Sequence, residues 1–210
     1  LPSPLQISYL FKKTNIKYDG KLLNDADKSK QYFSDISKKL NIGIYSADMF
    51  YCILQKQNQQ AIKYLKVLKE LSEDLNMSGI ISAEDIGRFE KNIGNEDSVI
   101  VAITDIQKNI DMYLKKNNKR KEMLVFFTSA WVEGMYIGVN MYDNKNEELS
   151  KRIVEQLYIL EKLTKGLEKM QNSGEEIIYI KDKLLEIMKL YDNIACIKKA
   201  KEDEILFEEI

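Results

Sequence analysis

Hydrophobic residues recur along this chain at intervals of three and four, which is the spacing of amphipathic α-helices. The two clearest runs are Leu65, Leu68, Leu71 and Leu75, and Leu157, Leu160, Leu163 and Leu167. No proline follows Pro4 in the 210 residues, and proline is the residue that breaks helix interiors. The pattern predicts an all-α fold, an antiparallel multi-helix bundle with short connections.

Capping residues indicate where several of these helices begin. Ser3 followed by Pro4 is typical of a helix start, and we expect a short amphipathic helix ending near Lys13. Ser82, three residues before Asp85, is typical of a capping box. Gly94 followed by Asn95 indicates the end of one helix and the cap of the next.

A further helix is predicted from Asp25 onward, with Phe33 and Leu40 on its apolar side. The whole chain, 44% hydrophobic, is long enough to close one sizeable core. We therefore expect a single all-helical domain over residues 1–210. The polar run Lys115 to Glu122 is the best candidate for a boundary between two packed helical halves.

Two predicted helices are apolar nearly all round. The segment Leu40 to Leu54 contains one charged residue, Asp48, and Met123 to Tyr142 contains only Glu133. A helix without a solvated face is normally central to its bundle, so we expect these two helices at the centre. Small residues would allow their backbones to pack closely: Gly43 and Ala47 on the first, and Ala130, Gly134 and Gly138 on the second.

The second of these helices approaches the length of a membrane span and follows a basic stretch. Glu133 at its middle, together with Thr128, Ser129 and Asn140, counts against a lipid-facing helix. We interpret the segment as a buried core helix.

The two lone acids are the most informative candidates for a functional site. Helical spacing places tyrosines beside each acid, and an ionised carboxylate on a buried face is costly unless it is paired or hydrogen-bonded. The functional interpretation is a buried polar pocket for a small ligand, lined by Asp48, Glu133, Tyr45, Tyr51, Trp131 and Tyr136. The structural alternative is that each acid is held by tyrosine or lysine and fixes the register of two apolar helices.

Charge and composition argue against nucleic acid as a partner. The chain has 32 basic and 33 acidic residues, and their signs are interleaved along the same stretches. Arg88, Arg120 and Arg152 are the only arginines, so the side chain best suited to bidentate phosphate or base recognition is scarce. We expect no binding to nucleic acid.

The sequence contains no histidine, which is the commonest general base and metal ligand. A di-iron bundle and the histidine-dependent nucleophilic sites are therefore excluded. No phosphate-binding glycine pattern occurs, and two separated acids do not imply a metal. We expect no cofactor and no metal, and we keep a hydrolase that uses Asp48 and Glu133 as the enzymatic alternative.

Both cysteines, Cys52 and Cys196, lie in apolar helical patterns, where a thiol usually behaves as a small hydrophobe. The chain begins at Leu1 without an initiator methionine and without a basic and apolar signal region. We interpret this start as a processed or truncated N-terminus from which any export signal has been removed.

Four segments resemble an uncharacterised family of all-helical exported proteins of Gram-negative bacteria, many of them predicted lipoproteins. They are LPSPLQISYLFKKTNIKY (1–18), LNIGIYSADMFYCILQKQNQQAIKYL (40–65), GRFEKNIGNEDS (87–98) and SAWVEGMYIGVN (129–140). The resemblance implies a helical fold and a location in the cell envelope, and it carries no assigned activity or catalytic residues.

From these observations we expect a non-enzymatic cell-envelope protein, on the periplasmic side, that binds a small molecule or a protein partner. The alternatives are a purely structural interaction protein and the hydrolase. Association with a membrane through an N-terminal lipid anchor is a further alternative. The cysteine that such an anchor requires does not stand at the start of the given sequence.

Overall fold

The computed structural model describes residues 17–93, 95–142, 146–170 and 174–194. Within these ranges the secondary structure is entirely helical, and the predicted all-α bundle is confirmed. Two short 3₁₀ helices, Gly20–Leu22 and Ala26–Gln31, precede the α-helices. The α-helices are α1 (Asp35–Leu54), α2 (Asn58–Asp74), α3 (Ala83–Lys91), α4 (Glu96–Lys116), α5 (Arg120–Asn140), α6 (Glu147–Glu168) and α7 (Glu175–Tyr191). The predicted helix near the N-terminus and the stop at Gly94 lie outside the described residues.

The chain divides between Met141 and Tyr142 into two compact units. The larger unit contains α1 to α5, and the smaller one contains α6 and α7. The polar run Lys115 to Glu122, our candidate boundary, instead forms the end of α4, a turn and the start of α5 inside the larger unit. A polar run marks a solvated connection, and helices on either side of such a connection can still pack together.

The central pair of the larger unit is α1 and α5, as their shared lack of a polar face predicted, and the two helices run parallel. Lys39 on α1 forms an ion pair with Glu122 on α5 at 3.8 Å, and Gly43, one turn further along α1, lies against the backbone of Phe126. The contacts thus advance in the same direction along both helices. The helices α1 and α2, which are joined by a short turn, run antiparallel, because Lys38 near the start of α1 forms an ion pair with Asp74 at the end of α2.

One apolar cluster of the larger unit is formed mainly by α1, α2, α3 and α4, and a second one includes Phe126 of α5. All four leucines of the first predicted stripe are buried, which confirms that face of α2: Leu65, Leu68, Leu71 and Leu75. Burying a leucine side chain contributes about 1.5–3 kcal/mol relative to leaving it in water. This stripe therefore holds α2 against α1.

The prediction of one α-helix from Asp25 onward is wrong for the first part of that segment. Residues Ala26–Gln31 form a 3₁₀ helix, and α1 begins only at Asp35, where the Ser34 side chain accepts a hydrogen bond from the Ser37 backbone N–H. Phe33 lies in the extended segment between the two helices and is 86% exposed. A serine that caps a helix satisfies one of its free N–H groups, and here it starts a new helix where the apolar pattern alone predicts a continuous one.

Two predicted caps are confirmed. The Ser82 hydroxyl accepts from the Asp85 N–H at 3.0 Å, while the Asp85 carboxylate accepts from the Ser82 N–H at 2.8 Å. Asn95 caps α4 by accepting from the Ser98 N–H at 3.0 Å. Both caps remove unsatisfied N–H groups from the first turn of a helix.

The smaller unit is built on α6 and α7. The second leucine stripe is buried, as predicted, at Leu157, Leu160, Leu163 and Leu167. The Tyr191 hydroxyl, at the end of α7, donates to the Ile153 carbonyl near the start of α6 at 2.8 Å. This contact fixes the antiparallel register of the two helices.

A membrane span requires a long helix with very few charges. Among the helices of the described ranges, none meets that requirement. The interpretation of α5 as a core helix agrees with the burial of most of its residues.

Candidate functional site

The site begins with an unusually close contact between α1 and α5. A methyl group added at Gly43 would overlap the Phe126 carbonyl oxygen and the Ser129 hydroxyl, and would lie 2.8 Å from the Ala130 backbone nitrogen. The predicted role of small residues in bringing these helices together is thus confirmed at Gly43. This contact lies a little over one turn before Asp48 on α1 and about one turn before Glu133 on α5.

Asp48 and Glu133 come together in the interior at this interface. Asp48 is 0% exposed and Glu133 is 8% exposed, and the two carboxyl groups lie within hydrogen-bonding reach of each other. One oxygen of each, Asp48 Oδ1 and Glu133 Oε1, is buried and has no hydrogen-bond partner among the described residues. Two acidic side chains therefore share a desolvated position, and the hydrogen-bonding capacity of each is only partly satisfied.

Burial raises the pKa of both carboxyls well above the usual range of acidic side chains. For Asp48 the nearby charge of Glu133 raises the pKa further, whereas hydrogen bonds from Asn24 lower it. Desolvation is the largest cause in both residues, because a charge is poorly stabilised away from water. The two acids titrate as one coupled system, so the protons belong to the pair.

Asn24 is the main hydrogen-bond donor to the pair. Its backbone N–H and its side-chain amide both donate to Asp48 Oδ2, each at 3.1 Å. The Asn24 side chain is also within hydrogen-bonding reach of Glu133. The connection before α1 thus closes over the acids from one side.

Three buried tyrosines hold the same connection in place. The Tyr64 hydroxyl donates to the Asn24 carbonyl at 2.7 Å, and the Tyr45 hydroxyl donates to the Asp25 carbonyl at 2.9 Å. The Tyr51 hydroxyl accepts from the Asp19 N–H at 3.0 Å. The rings of Tyr45 and Tyr64 stack at 5.7 Å between centroids. The tyrosines therefore act as anchors for the chain that covers the acids.

Cys52 lies on the same side of α1 as Asp48. Burial, followed by the neighbouring Asp48 charge, raises the pKa of its thiol to about 12. Tyr18, whose ring stacks on Tyr51 at 5.7 Å, is within hydrogen-bonding reach of the thiol. A thiol with so high a pKa carries almost no thiolate near neutral pH and is a poor nucleophile.

The structure brings four of the six candidate residues into this cluster: Asp48, Glu133, Tyr45 and Tyr51. Trp131 is fully buried, but it is separated from Glu133 by about 200° around α5 and so lies on another side of the helix. Tyr136 is 49% exposed, because it belongs to a stripe of α5 with Val132 and Val139 that faces outward. Tyr136 therefore does not line a buried pocket with the acids.

The sequence analysis did not identify two residues of the cluster, Asn24 and Tyr64. Tyr64 could have been found, since it lies four residues before Leu68 on the apolar face of α2. Asn24 offered no comparable signal, because it lies in the connection before α1, 24 residues before Asp48. Its role arises only from the tertiary fold.

A small cavity of about 20 Å³ lies elsewhere in the larger unit. It is bounded mainly by apolar side chains of α1, α2 and α4, with Ser46 and Gln107 as the polar contributors. A space of this size holds about one water molecule. The cavity does not include the two acids.

Among the described residues, no cluster of three or more histidine, cysteine, aspartate or glutamate side chains is arranged to hold a metal ion. The fold and the site define an all-helical protein with a buried, closely paired set of carboxyls. The chain matches no protein-family model, no curated protein and no solved structure.

Replacing Asn24 by alanine is expected to lower the free energy of unfolding by about 1–2 kcal/mol, because a carboxylate oxygen loses a hydrogen bond. Urea denaturation at neutral pH measures this change. The control is Asn140→Ala, since the exposed Asn140 amide donates to the Tyr136 carbonyl of its own helix. Equal effects of the two substitutions would contradict the role assigned to Asn24.

Proposed function

We propose that the chain is a non-enzymatic helical-bundle protein of the cell envelope, on the periplasmic side, that binds a small ligand at Asp48 and Glu133. The observation that carries the proposal is the pair of buried carboxyl oxygens, Asp48 Oδ1 and Glu133 Oε1, which find no hydrogen-bond partner within the described part of the chain. The location rests on the resemblance of four sequence segments to exported helical proteins.

Unpaired buried oxygens are unfavourable in a purely structural core. Each buried polar atom without a partner costs about 1–3 kcal/mol, and the great majority of such atoms in folded proteins are satisfied. Two of them, on adjacent acids, favour a site that is completed by something else. A ligand that brings hydrogen-bond donors or a positive charge would complement both oxygens.

The arrangement of the two carboxyls argues against the glycosidase form of the hydrolase alternative. Glycosidases keep their two carboxyl groups about 5 Å or more apart, to admit a nucleophilic attack or a water molecule. Asp48 and Glu133 are close enough to share a hydrogen bond. Asp48 is also fully buried beneath Asn24, so a polymeric substrate would have no direct approach to it.

A protein partner is the second candidate, and one observation favours it. Val132, Tyr136 and Val139 form an outward-facing apolar stripe on α5. Exposed apolar patches often mark protein contacts. Under this alternative the acid pair is structural and fixes the register of α1 on α5.

A thermal-shift screen separates these two candidates. Asp48→Asn/Glu133→Gln keeps the shape of both side chains and removes both charges, while Asp105→Asn/Glu90→Gln removes two exposed acids and serves as the control. A ligand at about 100 times its Kd adds roughly 2.7 kcal/mol to stability, which shifts Tm by about 5 °C or more in a chain of this size.

We expect small cationic or donor-rich compounds to raise Tm in the wild type and in the control, and not in the variant without the acid pair. Shifts of equal size in all three proteins would place binding elsewhere. A screen of amines, small metal ions and polar metabolites that raises Tm in none of them would overturn the small-ligand proposal and leave the protein-partner candidate.

A further inference from the structure

We propose that Asp48 and Glu133 bind one proton between Asp48 Oδ1 and Glu133 Oε1, and that this proton keeps the segment Tyr18–Asp25, here called the latch, closed over the pair. Loss of the proton opens the latch. This inference goes beyond ligand binding, because it concerns the ligand-free protein, in which the proton satisfies the two oxygens that a donor-rich or cationic ligand would otherwise occupy.

A single proton accounts for both unpaired oxygens. An ionised carboxylate only accepts hydrogen bonds, whereas a protonated carboxyl also donates one. Asp48 Oδ1 and Glu133 Oε1 lack partners when both groups are treated as acceptors, although the two side chains lie within hydrogen-bonding reach. Protonating either acid turns the pair into a donor and an acceptor, and both oxygens are then satisfied.

The ion pairs of the described residues do not compensate the charge of Asp48 or Glu133. The proton is the remaining group that can neutralise part of this charge. They lie on the surface or at helix edges, as Lys38 with Asp74 and Arg88 with Asp105 do, and within the described ranges none of them includes Asp48 or Glu133. Two like charges in a shared desolvated position cannot both persist at low cost.

The other titratable groups that face the pair stay neutral across the physiological range. They come from α1 and α2: Tyr45, Cys52 and Tyr64. Burial raises the pKa of all three. The charged side chains of the latch and the following 3₁₀ helix are solvent-exposed: Asp19, Lys21, Asp25, Asp27, Lys28 and Lys30. From α5 the pair is faced by Glu133 itself, so the pair is the group that titrates.

The latch is the part of this site that can open most easily. It contains no fully buried residue, and its apolar contacts are the packing of Leu23 on the core and the stacking of Tyr18 on Tyr51. Hydrogen bonds hold the rest: those of Asn24 to Asp48, of Tyr64 and Tyr45 to its carbonyls, and of the Asp19 N–H to Tyr51. The helices below it are held by close packing. The Asn24 bonds favour the ionised form of Asp48, but burial outweighs them in both acids. An ionised pair therefore gains more from hydration than it loses when these few bonds break.

Amide hydrogen exchange tests the latch directly. Exchange rates, each divided by the intrinsic rate at the same pH, are measured at the Asp19 and Asn24 amides at pH 6 and pH 9, with the Leu68 amide in α2 as the report of global unfolding. In the wild type we expect protection of both latch amides to fall by about tenfold or more at pH 9, while Leu68 keeps a higher protection.

Glu133→Gln is the decisive variant, because its amide donates permanently to Asp48 Oδ1 and replaces the proton. Its latch protection is expected to be the same at both pH values. Asp48→Asn, whose amide oxygen still accepts from Asn24, is the second variant in case the first folds poorly, and the same result is expected.

Three outcomes would overturn the proposal. They are unchanged latch protection in the wild type, an equal loss in the two variants, and a loss that Leu68 shares in full. The infrared carbonyl band of a protonated carboxylic acid gives a second readout: it should be present in the wild type at pH 6, absent at pH 9, and absent from the Asp48→Asn/Glu133→Gln protein at both.

Discussion

Replacing Gly43 by alanine is expected to lower the free energy of unfolding by about 3 kcal/mol or more. The added methyl group would overlap the Phe126 carbonyl and the Ser129 hydroxyl and would crowd the Ala130 nitrogen. Two of these atoms belong to the backbone of α5, so no side-chain rotation relieves the overlap and the two helices must separate. Overpacking of a core usually costs about 1–3 kcal/mol, and a backbone obstacle places this site at or above the upper end.

Gly87→Ala is the matched control for this measurement. Gly87 is also inside a helix, α3, but nothing lies within 4 Å of the position that its added methyl group would take. Alanine is favoured over glycine in a helix by about 0.5–1 kcal/mol, so this substitution is expected to stabilise the protein. Chemical denaturation of both variants gives opposite signs if Gly43 sets the distance between α1 and α5. A small effect at Gly43 would show that the interface is loose.

The stability of the wild type is expected to fall as the pH rises from about 5 to about 9. Burial raises the pKa values of the coupled pair Asp48 and Glu133 from the ordinary acidic range to about 7 and about 8, and the two values belong to the pair. Between the ordinary and the raised values, the folded chain holds protons that the unfolded chain has released. The free energy of unfolding therefore decreases with pH, by about 1.4 kcal/mol per pH unit for each excess proton.

The total decrease over this window is expected to be on the order of 3 kcal/mol or more. Most acidic residues that are perturbed by folding behave in the opposite way, because ion pairs lower their pKa values. The Asp48→Asn/Glu133→Gln protein should show little of this slope, since its two amides bond each other without a titrating proton. Urea denaturation at successive pH values measures both proteins, and parallel profiles would contradict the assignment of the slope to this pair.

The sequence predicted the helices and the central position of α1 and α5 because both depend on local pattern. A segment with a single charge over four or more helical turns has no charged face, so burial of most of its residues follows from composition, although α5 still exposes one apolar stripe. The same logic predicted that Asp48 and Glu133 would be buried. It could not predict that the two acids lie close together. That depends on the parallel register of two helices that are far apart in sequence.

The errors have equally specific causes. Phe33 carries the apolar pattern of a helix, yet the cap at Ser34 starts α1 after it and leaves Phe33 in water. Helical spacing places Tyr136 beside Glu133, but spacing does not say which stripe of an all-apolar helix faces outward. Asn24 was missed because its contacts to Asp48 join parts of the chain that are distant in sequence.

The contact at Gly43 also has a mechanical meaning for the acid pair. Two like charges in free solution reduce their repulsion by moving apart, and two sliding helices could do the same. Here α1 lies against the backbone of α5 close to the acids, so a shift of either helix along the other would bring a residue with a side chain into the space that Gly43 leaves free. Steric fit in the core thus holds the two acids closer together than electrostatic repulsion alone would place them.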